Sequence, residues 1–513
     1  MAIRYDVAII GAGHNGLVAA CYLGMAGKKV VVLEASQNIG GASISACPFD
    51  GYDVRLSRYA YLLSLFPDTI MCDLGLKVPV RSRSMSSYTP YVAEGRHEGL
   101  HIARKWDAET EASFERLTGE KKEALQWRNF YHDLQQMAKK LAPTLLSPLQ
   151  SRTDLRNLMG MDEVWRMMFE QPIGEALVEK FQSDLVRGVI LTDAMIGTHT
   201  SAYDLQANRC LLYHVIGNGM GEWKVPVGGM QQLIDELKRV AMANEVKILT
   251  DARVTDLSLG KAGVELATAD GTSYKAKQLL CNAAQPVLAA LRGLPSTPAR
   301  EGCQTKINIL LEKLPRFRSG VDPSIALAGT LHIQESFRQL EDAFQESEEG
   351  KLPRVLPFEM YCHSLTDPTI LSKSLQERGM HALTIFVLHT PAKIFDRGHA
   401  AMGQQVCEST FAALNDYLID PIESCLARMP NGAPCVEILT PHELEAILGL
   451  PRGNIFHSDL SLPFLEQRQK GVWGVETDDP RILLCGSSAL RGGGVSGIPG
   501  HNAAMAVLQG SRG

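Results

Sequence analysis

The sequence predicts an α/β protein with a discontinuous Rossmann-like domain, a second domain of mixed sheet and helices, and a helical cap. Three observations predict this fold: a strand–glycine turn–helix–strand unit at the N-terminus, a strand–glycine loop–helix unit at the C-terminus, and two long mixed stretches between them. The Rossmann-like domain is assigned to residues 1–75, 220–290 and 475–513. The second domain and its cap take residues 76–219 and 291–474.

Size and composition restrict the function classes. The 513 residues carry a net charge of -6, which argues against nucleic-acid binding. No uninterrupted apolar stretch is long enough to span a membrane, and the chain enters an apolar strand almost at once, which leaves no room for a signal or transit peptide. A cytoplasmic location is therefore expected. The 11 cysteines include no Cys-x-x-Cys pair, so neither a disulfide framework nor a redox dithiol is predicted.

The N-terminal unit has the physical features of a dinucleotide site. Residues 5–10 form a predicted strand, a glycine turn over residues 11–16 follows, a helical pattern continues from residue 17, and a second strand over residues 30–33 ends at an acid. Glycines allow the tight turn and close backbone approach, while the helix N-terminus favours phosphate. Glu34 lies 18 residues past the last glycine and can accept hydrogen bonds from ribose. The predicted contacts are Gly11, Ala12, Gly13, His14, Asn15, Gly16, Glu34 and Ala35.

A second glycine turn distinguishes FAD from NAD as the ligand. Gly40, Gly41, Ala42 and Ser43 follow the ribose acid directly. This arrangement resembles the extended signature of glutathione-reductase-like and amine-oxidase-like flavoproteins, and the resemblance implies FAD. These four residues are therefore predicted to contact the cofactor as well.

Two later segments are predicted to return to the same sheet. Residues 225–230 open an amphipathic helix whose apolar residues are Leu233, Leu237, Val240 and Ala241. A strand over residues 246–249 then precedes Val254, the candidate for adenine packing, and a hairpin over residues 263–280 follows. A strand over residues 482–485 then leads into a glycine-rich loop and a helix from residue 498. That helix N-terminus can stabilise negative charge on the flavin N1–C2=O edge. Gly486, Gly494, Val495 and Gly497 are predicted to contact the cofactor.

The intervening stretches predict the second domain and the cap. Helices are expected over residues 122–141, 162–168 and 173–190. Strands are expected over residues 306–311, 357–361 and 381–388, and a helix over residues 402–418.

Five motifs carry a resemblance to a known family. They are residues 11–20, 61–65, 184–188 with 192–194, 453–457 and 492–497. Together they resemble the phytoene desaturase-like flavoproteins, and within these the pyridine nucleotide-disulfide oxidoreductase domain-containing protein 2 type. The resemblance covers nearly the whole chain. It implies FAD, an amine-oxidase-like fold, and desaturase, oxidase or isomerase chemistry on a hydrophobic, isoprenoid- or carotenoid-like substrate.

Hydride transfer to FAD needs little acid–base assistance, so few catalytic residues are expected. The candidates are His457, as a proton donor or orienting group, and Arg58 with Tyr59 in the segment after the second glycine turn. The alternative interpretation of His457 is a hydrogen-bonded structural histidine, and the alternative interpretation of Arg58 is a salt bridge. The histidines show no metal-ligand spacing, so no metal site is expected.

Two alternatives to an oxidoreductase remain open: a redox-neutral FAD-dependent isomerase and a lipid carrier of the GDP-dissociation-inhibitor type. The expected partners are a hydrophobic small molecule and, as electron acceptor, oxygen or a quinone, but no nucleic acid. Residues 159–168 contain several methionines and a tryptophan, which suggests either peripheral membrane contact or core packing. The oligomeric state is not predicted.

Overall fold

The computed structural model describes residues 4–217, 223–261, 263–296 and 298–510. Its first sheet combines parallel and antiparallel strands from three distant parts of the chain. Arg4–Ile10 lies at its centre, parallel to Val30–Leu33 on one side and to Ser273–Cys281 on the other. The remaining strands are Lys247–Leu249, Gly263–Thr268, Val254–Gly260 and Ile482–Leu484.

Helices cover this first sheet. The first helix, His14–Met25, and the last helix, Ile498–Gly510, pack against each other and share a core with the central strands. The other helices of this part are Asp68–Asp73, Gln231–Ala243 and Gln285–Leu291. The predicted α/β arrangement is confirmed.

A second sheet of seven strands is mostly antiparallel. In spatial order its strands are Val436–Leu439, Thr305–Leu311, His381–Val387, Phe358–Cys362, Thr330–Ile333, Met85–Ala93 and Arg96–Ala103. Helices accompany it: Pro323–Ala326, Phe337–Glu348, His363–Thr366, Lys373–Glu377, His399–Asn415 and Pro441–Leu448. Two-stranded pairs join Gln150–Ser151 to Phe464–Leu465, Ser45–Ala46 to Leu56–Ser57, and Val80–Ser82 to Lys224–Pro226.

The two faces of the second sheet differ in chemistry. Alternate residues of its central strands, such as Ile307, Met360 and Ile385, form one apolar core. The intervening residues point to the opposite face because successive side chains of a strand alternate. That opposite face, which we call the polar face, is buried but carries Lys306, Asn308, His332, Glu359 and Thr384.

The cap consists of helices around its own apolar core. They are Ala108–Thr118, Lys122–Leu141, Arg152–Met159, Asp162–Phe169, Ile173–Lys180, Asp184–Thr192 and Leu205–Ile216. Met159, Trp165 and Met168 are buried in that core, so this stretch packs inward rather than presenting an apolar surface to a membrane.

The prediction of a single helix over residues 173–190 is wrong, because the structure has two helices there. The helix is broken between Lys180 and Asp184, because the Glu123 carboxylate accepts hydrogen bonds from the backbone N–H groups of Gln182 and Ser183. Ser183 then caps the next helix through its hydroxyl, which accepts from the N–H of Val186. A glutamate distant in the sequence therefore sets this break.

The strands of the first sheet all fall within the segments assigned to the Rossmann-like domain, and those of the second sheet fall outside them. The domain boundaries themselves stay a prediction. Their ends at residues 1–3, 219–220 and 511–513 lie outside the described residues. Among the described helices, none has the length and apolar character needed to cross a bilayer.

We expect Gly188→Ala to destabilise the contact between the cap and the second domain. A Cβ at Gly188 would lie 1.9 Å from the carbonyl oxygen of Glu335, so the helix must move away at a cost of about 3 kcal/mol. The thermal unfolding midpoint of the variant should fall by several degrees. Gly510→Ala is the control, since no atom of the described residues lies within 4 Å of its Cβ position; equal midpoints for the two variants would contradict the packing described.

His389 should make the protein acid-sensitive. Its side chain is 1% exposed, and burial lowers the pKa of His389 to about 3. In the unfolded chain the imidazole of His389 binds a proton with an ordinary pKa, so lowering the pH favours unfolding. The stabilisation of the folded state by neutral His389 is therefore complete above about pH 6.5 and is lost as the pH falls toward about 3. At pH 5 the loss amounts to about 2 kcal/mol.

His389→Asn removes this titration and suits the left-handed backbone at φ 52°. We therefore expect its unfolding midpoint, normalised to pH 7, to fall less between pH 7 and pH 5 than that of the wild type. His132→Asn, at an exposed helical position, serves as the control. Parallel pH profiles for wild type and His389→Asn would refute the expectation.

Candidate functional site

The first glycine turn brings backbone, rather than side chains, to the N-terminus of the first helix. Gly13 is the N-cap, and no side chain caps the first turn of the helix. A Cβ at Gly16 would lie 2.3 Å from the carbonyl oxygen of Gly11, and one at Gly13 would lie 2.9 Å from Nδ2 of Asn282. The helix can therefore begin this close to the strand only with glycine at these positions, and its N–H groups stay available for an anion.

Glu34 lies at the end of the neighbouring strand, beside this turn. Its Oε2 accepts from the N–H of Ala12 at 2.7 Å, and its Oε1 accepts from the N–H of Ser36 at 2.9 Å. Its backbone also bonds to Leu249 and Ala252, which brings the partly buried Val254 into the same region. Each carboxylate oxygen keeps acceptor capacity for a further donor.

The second glycine turn packs directly on the first. The N–H of Gly40 donates to the carbonyl of Ala12 at 2.9 Å. The hydroxyl of Ser43 lies 3.2 Å from Nδ1 of His14. Burial lowers the pKa of His14 to about 4, although the nearby backbone of Gly494 opposes this shift. His14 therefore connects all three glycine segments and is neutral at neutral pH.

The last helix begins next to the first. A Cβ at Gly500 would lie 2.0 Å from the carbonyl oxygen of Asn15, and one at Gly497 would contact Phe66 and Val18. Two helix N-termini therefore converge on one crevice, and both favour negative charge there.

Arg58 and Tyr59 lie between the crevice and the polar face of the second sheet. The Nε of Arg58 donates to Oε1 of Glu437 at 2.7 Å, and Asn308 donates to the other oxygen of Glu437 at 2.9 Å. The guanidinium is thus in a salt bridge, which was the alternative to a catalytic role. Tyr59 is buried, and its hydroxyl has no hydrogen-bond partner among the described residues.

Lys306 is a buried lysine on the polar face and faces the same segment. Its Nζ donates to the carbonyl oxygens of Ser57, at 3.2 Å, and of Tyr59. It also lies 5.3 Å from the ring centre of Tyr61. Burial holds the pKa of Lys306 well below its ordinary value, with Glu437 opposing and Arg58 reinforcing the shift, which favours the neutral amine.

Aromatic rings surround this lysine. The ring centre of Tyr61 lies 4.9 Å from that of Tyr361 and 5.3 Å from that of Phe386. The guanidinium of Arg83 contacts the rings of Tyr361 and Trp223, with centroid distances of 4.7 and 4.8 Å. The result is an apolar wall with the buried basic side chains of Arg83 and Lys306 at its edge.

His457 lies on the other side of the crevice. Its Nδ1 is 3.3 Å from the hydroxyl of Ser488 in the C-terminal glycine loop, and it is close enough to His14 to affect the pKa of that residue. Burial lowers the pKa of His457 to about 4, so the imidazole is neutral at neutral pH. A role as proton donor stays a prediction.

The family model for flavin containing amine oxidoreductases matches residues 16–308 of this sequence. The chain belongs to this family. The match extends from Gly16, the last glycine of the first turn, to Asn308 on the polar face, and it includes Glu34 and Lys306.

Similar proteins exist over the full length of this amine oxidoreductase. An uncharacterised protein of Mycobacterium tuberculosis is 41% identical, with 98% of this chain and 97% of the relative covered. The pyridine nucleotide-disulfide oxidoreductase domain-containing protein 2 of Rattus norvegicus is 29% identical, with 99% and 94% covered. The structure of a putrescine oxidase mutant superposes with a TM-score of 0.58 at 16% identity and full coverage of both chains, which supports the fold.

FAD is the cofactor of this family member, and the protein is an FAD-dependent oxidoreductase. The geometry fits the cofactor, because side chains at Gly13 or Gly16 would fill the cradle at the helix N-terminus and Glu34 offers acceptors beside it. The resemblance stated from the sequence motifs is confirmed. The assignment of individual residues to FAD stays a prediction, although all of its glycine segments lie at one crevice.

Four residues of this amine oxidoreductase that the sequence did not identify are Lys306, Asn282, Glu437 and Arg83. Asn282 was visible as the residue after a strand, and its Nδ2 donates to the carbonyl of Gly11 at 3.2 Å. Lys306 could also have been recognised from the sequence, because a lysine inside an otherwise apolar strand is unusual. The partners of Arg83 and Glu437 are distant in sequence and give no local pattern.

We expect Glu34→Ala to weaken FAD binding by about tenfold or more, because the variant loses the ribose acceptor and the support of the turn. Titration of the apoprotein with FAD, followed by flavin fluorescence, measures this effect. Glu265→Ala changes an exposed glutamate of the same sheet, paired with Lys275, and should bind FAD normally. Unchanged affinity in Glu34→Ala would remove this residue from the cofactor site.

Proposed function

We propose that this FAD-dependent oxidoreductase is a desaturase, dehydrogenase or oxidase of a hydrophobic, isoprenoid- or carotenoid-like substrate. The observation that carries the proposal is the aromatic wall of Tyr61, Tyr361 and Phe386, which adjoins the segment over residues 57–61 and encloses Lys306. FAD held in the crevice would supply the hydride acceptor, its N5 atom. The resemblance of the sequence to phytoene desaturase-like flavoproteins supports the substrate class.

The protein's own groups have defined tasks in this proposal. The aromatic wall binds the apolar substrate and excludes water, which favours hydride transfer over side reactions. A neutral Lys306 amine uses its two N–H groups to donate to the carbonyls of Ser57 and Tyr59, so its lone pair is free to accept the proton that the substrate loses. Arg58 and Glu437 hold the segment in place through their salt bridge. Oxygen or a quinone stays the predicted electron acceptor.

Anaerobic mixing with isoprenoid hydrocarbons in detergent micelles tests the proposal. We expect loss of the visible flavin absorbance without an added reductant. Lys306→Met should retain FAD but bleach about 100-fold more slowly, because the proton acceptor is missing. Lys313→Met, which changes an exposed lysine of the same region, should bleach at the wild-type rate.

The other outcomes identify the alternatives. Product formation without net bleaching would indicate a redox-neutral isomerase. A protein that binds the isoprenoid but takes up no flavin would indicate a lipid carrier. Equal bleaching rates for Lys306→Met and wild type would exclude Lys306 as the proton acceptor.

A further inference from the structure

Three ionisable side chains meet in the interior on the polar face, and one of them, Glu359, lies two strands across from Lys306. His332 lies on the strand Thr330–Ile333, Glu335 precedes the helix Phe337–Glu348, and Glu359 lies on the neighbouring strand Phe358–Cys362. They are 4%, 0% and 0% exposed. No sequence spacing indicates this group, because Glu359 comes from a different strand.

The distances within this His332–Glu335–Glu359 cluster suit a common ligand. Nδ1 of His332 lies 2.6 Å from Oε2 of Glu335 and 3.8 Å from Oε1 of Glu359. One nitrogen and one oxygen from each glutamate all lie within 4.8 Å of one another. Three donors at such separations can reach one ion at metal–ligand distances of about 2.0–2.2 Å with small side-chain movements.

Two carboxylate oxygens of the cluster lack partners. Among the described residues, Oε1 of Glu335 and Oε1 of Glu359 are buried and accept no hydrogen bond. The unpartnered oxygen of Glu359 is the one that faces His332. A buried carboxylate oxygen without a donor is costly, so it calls for either a proton or a bound cation.

The surroundings orient these groups. The hydroxyl of Tyr361 donates to Oε2 of Glu359, which leaves Oε1 directed at the cluster. Ligating carboxylates in metal sites are commonly fixed in this way by a second hydrogen bond. Glu335 is fixed by its backbone, since its carbonyl packs against Gly188 of the cap helix Asp184–Thr192.

We infer that His332, Glu335 and Glu359 bind a divalent first-row transition-metal ion, such as Zn²⁺ or Mn²⁺. One imidazole nitrogen and two carboxylates form a mixed nitrogen–oxygen donor set that suits these ions. The ion would join two strands of the second sheet to the residue that contacts the cap. Its role is therefore structural, and its binding energy would stabilise the cap on the sheet.

Metal analysis of the purified holoprotein tests this inference without a substrate. The protein is expressed with added Zn²⁺, dialysed against EDTA and then against Zn²⁺ alone, and analysed for metal and flavin in the same sample. We expect about one more Zn²⁺ per chain in the wild type than in Glu335→Gln or Glu359→Gln. Comparison with these variants corrects the measured zinc content for Zn²⁺ bound at other sites, for example at the exposed Cys47 and Cys72.

Thermal unfolding provides a second readout if a variant folds poorly. Zn²⁺ should raise the unfolding midpoint of the EDTA-treated wild type, and of the control Glu408→Gln at an exposed helical position, but not of the cluster variants. The same Zn²⁺ content in wild type and both variants, or no effect of Zn²⁺ on the wild-type midpoint, would overturn the inference. The cluster would then be a proton-sharing network. Flavin content, recorded separately, shows whether FAD binding fails independently.

Discussion

The close approach of two helix N-termini to one strand end is the constraint on which the rest of the structure depends. Gly16 and Gly500 allow it, since a methyl group at either position would lie within 2.3 Å of a backbone oxygen. Once this approach is fixed, Glu34, His14 and the glycines near residues 40 and 494 all fall at the same crevice. The second sheet then presents its polar face to residues 57–61 through Lys306 and Asn308.

The sequence predicted those parts of the fold in which local pattern and local physics agree. The first strand and helix, the 263–280 hairpin and the C-terminal strand–loop–helix unit appear close to their predicted bounds. The hairpin of Met85–Ala93 and Arg96–Ala103 was not predicted, because polar residues on both strands obscure the alternation of a half-buried sheet. The break at residues 181–183 depends on Glu123, which lies about 60 positions away.

The same distinction applies to the site. Glycines that a turn requires can be recognised from their spacing alone. The sequence allowed two interpretations of Arg58, and the structure shows that it forms a salt bridge with Glu437. Lys306, Glu359 and His332 occur in strands that read as ordinary core, and only the alternation of the folded strands brings them to one face. A buried polar face lowers stability unless its groups are paired, and Lys306, Asn308 and Thr384 are paired through hydrogen bonds.

The order of strands in the first sheet has a consequence for biosynthesis. The N-terminal strand and helix are made before Ser273–Cys281, their neighbour, and Ile482–Leu484, which pairs with that neighbour, comes later still. The crevice for FAD is therefore incomplete until the helix Ile498–Gly510 has been made, since this helix packs on the first helix and closes one side of the crevice. Long-range pairing of this kind slows folding and exposes strand edges in the meantime. Flavin is then enclosed only after this helix has folded onto the first one.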